Sequence, residues 1–210
     1  MEVPESKIEE SSTIEKNKVT LKREWSFWEN YDSKSKEEKD YSKLIKEIYT
    51  FNDIISFWQF WNNYPGNDIK KIFFDGEYIT YFFEDKYRII AMNIFQKGIK
   101  PEWEDKKNKK GNILTLSYNM KNEDVDNFLE QAQELWIKLI CLLIGETLPF
   151  CENINGIRFV DKTKLGNKNN SIIFKYEIWV NSLMVDEQLE ELKNYCTKIF
   201  ECKGTIKPIK

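Results

Sequence analysis

The sequence predicts an α+β domain, an antiparallel sheet with helices packed on one face, and three observations carry that expectation. Short stretches at residues 25–28, 113–118, 156–161 and 172–180 read as strands, with Trp25 and Phe27 alternating with Ser26 and Trp28 in the first. Two longer stretches, 122–143 and 186–201, carry their apolar residues at helical spacing. Several of the strand-like pieces are joined by short polar turns, the mark of hairpins rather than of parallel crossovers.

Taken in order, residues 1–18 are polar and without apolar period, and read as a disordered arm. Residues 19–28 are strand-like. A charged loop over 32–40 ends at Tyr41. Asn52 or Asp53 can cap a helix carrying Ile54, Ile55, Phe57, Trp58, Phe60 and Trp61, which Pro65-Gly66 ends. That helix is apolar on too many sides for one buried face, so either both sides are covered or one is a partner surface. Residues 69–94 read as strands around an Asp75-Gly76 turn. After the strand at 113–118, Asn122 opens the clearest helix, with Val125, Phe128, Leu129, Ala132, Leu135, Trp136, Leu139, Ile140 and Leu143 in phase; Cys141 falls within it as a core residue, and Gly145 stops it. The strands at 156–161 and 172–180 pair across a polar loop. The final helix turns Leu189, Leu192, Cys196, Ile199 and Phe200 inward, and 203–210 is left as a tail.

Composition removes several classes of function. The chain of 210 residues is 41% hydrophobic and 15% aromatic, enough to build one domain with a ring-rich core. Its net charge of −3 argues against coating nucleic acid through bulk positive charge, although lysines inside an acidic surface can still hold one nucleotide. With no histidine, Ser-His-Asp and Cys-His nucleophiles and imidazole zinc sites are excluded. The four cysteines form no C-x-x-C pair, and with no leader-like segment they are expected as reduced thiols of a cytoplasmic protein. The eight glycines form neither dinucleotide-binding nor P-loop motifs. No metal and no cofactor is expected, and binding is favoured over catalysis.

The segment 98–111, Gly-Ile-Lys-Pro-Glu-Trp-Glu-Asp-Lys-Lys-Asn-Lys-Lys-Gly, is the most specific of the chain. It sets Trp103 directly before Glu104 and follows them with lysines. One aromatic plane, one acceptor and several cations suit a charged purine nucleotide: the ring stacks on the base, the carboxylate meets its edge and cations meet phosphates. Most of the lysines at 106–110 read as a solvated turn.

Together with this segment, Trp25-Ser26-Phe27-Trp28, Phe57-Trp58, Leu135-Trp136 with Leu142-Leu143-Ile144-Gly145-Glu146, and Ile178-Trp179 resemble, in order and spacing, the blocks of the eukaryotic initiation factor 4E family. The resemblance covers roughly residues 19–200. It implies a curved eight-stranded antiparallel sheet with three helices on the convex face, here a domain over 19–202 with an extra hairpin near 66–85. It further implies a monomer that binds the 7-methylguanosine 5′ cap of mRNA and recruits a scaffold of factor 4G type to start translation, without enzymatic activity. Alternatives are a cap-binding repressor of the same fold, or an enzyme acting on capped nucleotides. By this resemblance Tyr41 and Trp103 sandwich the methylated base, Glu104 reads the guanine edge, Trp179 touches the N7-methyl group, and Lys162 and Lys175 meet phosphates. Ile113 stands at a phosphate-side arginine position. Trp58 anchors a partner helix carrying Y-x-x-x-x-L-φ in a groove lined by Val19, Thr20, Ile54 and Ile137. Lys138 stands where the family carries an acidic residue, so a neutral or acidic partner residue is expected opposite it.

Overall fold

A computed structural model describes residues 19–33, 44–73, 87–119, 124–163 and 172–209. The arm at 1–18, Tyr41 and the Asp75-Gly76 turn lie outside the described residues. Seven strands form one antiparallel sheet among the described residues, one fewer than the resemblance implies: β1 (Thr20–Ser33), β2 (Ile45–Asp53), β3 (Tyr87–Gln96), β4 (Asn112–Asn119), β5 (Ile154–Asp161), β6 (Ile173–Val180) and β7 (Lys203–Pro208). Their spatial order is β2-β1-β3-β5-β6-β4-β7. Irregular register within β1 and at the start of β5 bends the sheet, as bulges do.

Four α-helices accompany it among the described residues, one more than the resemblance implies: α1 (Ile54–Asn63), α2 (Ile69–Phe73), α3 (Val125–Ile144) and α4 (Asp186–Phe200). The side chain of Asp53 accepts from the Ser56 amide at 2.8 Å and caps α1, which ends at Tyr64 ahead of Pro65. Of its apolar residues, Phe57 and Trp61 point into the core while Ile54 and Trp58 stay at the surface. Asp124, rather than Asn122, caps α3, accepting from the Asp126 amide. Cys141, expected in the core, is exposed on that helix, between the buried Ile140 and Leu143.

Two segments depart from the elements expected of them. Residues 69–73, expected as strand, form α2. Ile69, Ile72 and Phe73 are spaced to share one helix face, all three are buried, and the Asp68 carboxylate accepts from the Lys70 amide at 3.0 Å to start the turn. The first limb of the hairpin expected near 66–85 is therefore a helix. Residues 203–208, expected as tail, form β7 and pair with β4, so the sheet extends beyond the boundary placed at 202. Lys-Gly-Thr-Ile-Lys-Pro is too polar to announce a strand; as an edge strand it buries little.

The two-residue period of the strands sorts side chains to two faces. Phe27, Ile94, Leu114, Ile157, Phe159, Phe174, Tyr176 and Ile178 join the helices in the main core, where each large buried side chain contributes roughly 1.5–3 kcal/mol. Their alternates Trp28, Phe95 and Trp179 form a second, smaller cluster on the opposite, open face with Ile99 and Ile209. The Tyr176 hydroxyl donates to the Ala132 carbonyl at 2.8 Å and ties β6 to α3. No helix among the described residues is long and apolar enough to cross a membrane.

On the helix side, Glu29 is buried and accepts hydrogen bonds from the hydroxyls of Tyr31 and Tyr64. Burial, then the Glu29 charge, pushes the Tyr64 phenol well above its usual value; Tyr31 moves the same way. A phenol whose folded pKa exceeds its unfolded value of 10.0 contributes stability that is complete below that value and is lost as pH rises further. Denaturant midpoints are expected to hold steady from neutral pH to about pH 9 and to fall above about pH 10. Tyr64→Phe is expected to reduce that alkaline loss and to lower stability by about 1 kcal/mol at neutral pH, where it removes one partner of a buried carboxylate.

Candidate nucleotide-binding face

The strand registers lay the open face out in rows. One row runs Phe95, Gly156, Trp179, Ile113 across β3, β5, β6 and β4. The next runs Trp28, Asn93, Arg158, Glu177, Thr115, and the one beyond it Asn30, Ala91, Val160, Lys175, Ser117. Gly156 in the first row is required by close approach: a Cβ there would lie 2.4 Å from the Phe95 ring. With no side chain between them, Phe95 and Trp179 meet edge to face at 5.6 Å.

The segment 98–111 leaves β3 and returns at β4, crossing the end of the sheet where the Trp179 row lies. Gly98 turns the chain with φ +81°, a conformation that favours glycine. Ile99 anchors the loop in the second cluster. Asn108, fully buried, donates to the carbonyls of Lys100 at 2.8 Å and Glu102 at 2.9 Å. Asn155 donates to the Asn108 side-chain oxygen at 3.0 Å and to the Lys107 carbonyl at 2.8 Å. Asp105 accepts from the amides of Lys100 and Lys107. This inner polar frame pins the loop and leaves its outer side free. Trp103 stands 60% exposed, with no ring stacked on it among the described residues, and Glu104 beside it is exposed without a hydrogen-bond partner among them. Lys106, Lys107, Lys109 and Lys110 are exposed, as a solvated turn requires.

The other expected site residues fall into different settings. Trp179 shares the open face but its ring is fully buried, so it is a wall under the surface rather than part of the surface. Lys175 lies half-buried on the same face of β6, two rows from Trp179, and Lys162 is exposed just past β5, its amide donating to the Ile173 carbonyl at 2.9 Å. Ile113 packs against the second cluster.

On the opposite side, Val19 and Ile54 are 59% and 37% exposed and bonded main chain to main chain at 3.1 Å; Thr20 pairs with Asp53, and Trp58 is 36% exposed. These four come together as one surface where β1 meets α1. Ile137 and Lys138 lie on α3; the Lys138 ammonium donates to the Ile199 carbonyl at 3.5 Å and sits 5.9 Å from the Phe200 ring, turned towards the end of α4.

Sequence reasoning missed a buried polar chain on the open face. The Arg158 guanidinium donates to the Asn93 side-chain oxygen at 2.8 Å, and Asn93 donates in turn to that of Asn30 at 2.6 Å. Arg158 pairs with Glu177 at 3.4 Å, and Glu177 accepts from the Trp179 indole at 3.1 Å. A signal existed: Arg158 and Glu177 are charged residues in the strand phase that Trp179 also occupies.

The family model of eukaryotic initiation factor 4E matches residues 20–207. The chain belongs to this family. A factor 4E relative from Candida albicans is 30% identical over 141 residues, 67% of this chain and 57% of the relative, so the chain spans less than two thirds of that relative's length. Among solved structures, Ascaris suum eIF4E-3 with the m7G cap superposes at a TM-score of 0.63, with 17% identity and 92% of each chain covered. A schistosome eIF4E complexed with m7GpppA and 4E-BP gives 0.60, with 22% identity, over 92% of this chain and 89% of that one. These likenesses establish the factor 4E fold. In this member the loop that carries Trp103 depends on Asn108. Asn108→Ala is expected to strip the Lys100 and Glu102 carbonyls of their donor, lower stability by about 1–3 kcal/mol in thermal melts, and speed amide exchange across 100–111 while the strands stay protected.

Proposed function

We propose that this chain binds the 7-methylguanosine 5′ cap of mRNA and brings it to a translation-initiation scaffold of factor 4G type. The observation that carries this reading is Trp103, a large ring held 60% exposed on a pinned loop with a free carboxylate next to it. A structure that leaves an indole in water on a rigid support keeps it ready for a planar ligand. Methylation at N7 makes the purine a cation, and a cation between aromatic faces gains about 2 kcal/mol or more when desolvated. Stacking adds roughly 1–3 kcal/mol per base. Tyr41 is assigned to the second face of the sandwich by resemblance. Glu104 accepts from N1–H and the exocyclic amine of guanine, a pair that adenine does not offer; such charge-assisted bonds run about 1.5–3 kcal/mol. Lys175 and Lys162 supply point charges for phosphates. No bond is made or broken, so the reading is recognition and not catalysis. That the Ascaris and schistosome proteins of the same fold were solved with capped ligands supports it.

The surface of Val19, Thr20, Ile54 and Trp58 is assigned to a partner helix carrying Y-x-x-x-x-L-φ, with Trp58 as the aromatic anchor. A cap-binding repressor is the second reading, kept open by Tyr41 in the sandwich and by Lys138, a cation turned towards the end of α4 where the resemblance implies an acidic residue.

Titration followed by tryptophan fluorescence is expected to show quenching by 7-methyl-GTP and at least about tenfold weaker binding of GTP, a difference of about 1.4 kcal/mol. Equal affinities would overturn the cap reading. Trp103→Ala is expected to abolish binding, and Glu104→Gln to weaken it in a folded protein. Trp58→Ala is expected to spare 7-methyl-GTP binding and to weaken capture of a Y-x-x-x-x-L-φ peptide by at least about tenfold, since anchors of this kind are worth about 2 kcal/mol or more.

A further inference from the structure

The ring assigned to the N7-methyl group already has a cation against it. The Arg158 guanidinium lies over Trp179 at 5.3 Å from the ring centroid, within the range at which a cation is attracted to an aromatic face. Phe95 meets the indole edge to face, Glu177 holds its N–H, and the ring has no exposed surface left. Arg158 is not there by chance of a mobile side chain. It is 9% exposed, its Nε is bonded to Asn93, and the pairing with Glu177 balances its charge.

Resting on the cap reading above, we propose that Arg158 is a specificity-determining residue: its guanidinium holds the surface of Trp179 that a cationic, N7-methylated purine would otherwise use. The two cations compete for one ring. A neutral guanine has little to gain from that surface, so Arg158 reduces the preference for the methylated base more than it reduces affinity for guanine nucleotides as such. Glu177 makes this selective: because it neutralises the guanidinium, Arg158 acts by occupying the ring and not by repelling the ligand at a distance. Asn93 and Asn30 hold the guanidinium in register from the β1 side.

The test is the ratio of GTP to 7-methyl-GTP dissociation constants in wild type and in R158M/E177Q. Both charges go together, so no unpaired charge is left buried, and the amide oxygen of glutamine can still accept the Trp179 N–H. The ratio is expected to rise by at least about threefold, with GTP affinity changed by less than about twofold, as the loss of a competing cation–π contact allows. R158Q/E177Q, which keeps a polar partner for Asn93, serves if the first variant melts early, and the same rise is expected of it. A ratio that stays at the wild-type value or falls in a folded variant overturns the proposal. Wild type that binds both nucleotides equally overturns the cap reading instead, so the two failures are told apart by the first titration.

Discussion

The two-residue period of the central strands decides where every side chain discussed above can act. In β6 it sends Phe174, Tyr176 and Ile178 into the helix-packed core and Lys175, Glu177 and Trp179 to the open face. β5 divides Phe159 from Arg158 in the same way, and β3 divides Ile94 from Phe95. A slip of one residue in any of these pairings would exchange the faces and bury charge among the helices. The rows that place Trp179, Arg158 and Lys175 in line are a consequence of that register, and the core fixes the register because only one phase is apolar enough to pack against α3.

The loop over the end of the sheet solves a different problem. It must hold an aromatic ring in water without letting the chain collapse onto it. Asn108, Asn155 and Asp105 do this by satisfying backbone groups on the inner side of the loop. Buried amide side chains suit the task, since each both donates and accepts and can close a turn that has no regular ladder. Rigidity obtained this way lowers the entropy lost when a ligand is stacked, so it belongs to recognition as much as to stability.

The open face also shows why charge inside a sheet need not be a defect. Arg158 and Glu177 are largely buried, and an isolated charge at either place would be costly. They are tolerated because each is paired and further bonded, Arg158 to Asn93 and Glu177 to Trp179. The same bonds fix the plane and the accessibility of a ring that the resemblance alone would have left open to a ligand.

The sequence by itself determined the class of fold, strands over 113–118, 156–161 and 172–180 to within two residues at each end, the two long helices and the family, because these rest on period and ordered motifs that are local in the chain. It also singled out Trp103 and Glu104, since exposure there follows from a short polar loop. Failures fell where local signals conflict with packing. Residues 69–73 are apolar enough for a strand, and their helix is decided by burial of Ile69, Ile72 and Phe73 together. β7 is legible only as a partner of β4. The resemblance assigns Trp179 to the N7-methyl group, but only the tertiary structure shows the ring buried on the open face under Arg158, whose approach depends on a cross-strand register between β5 and β6 that no stretch of sequence contains.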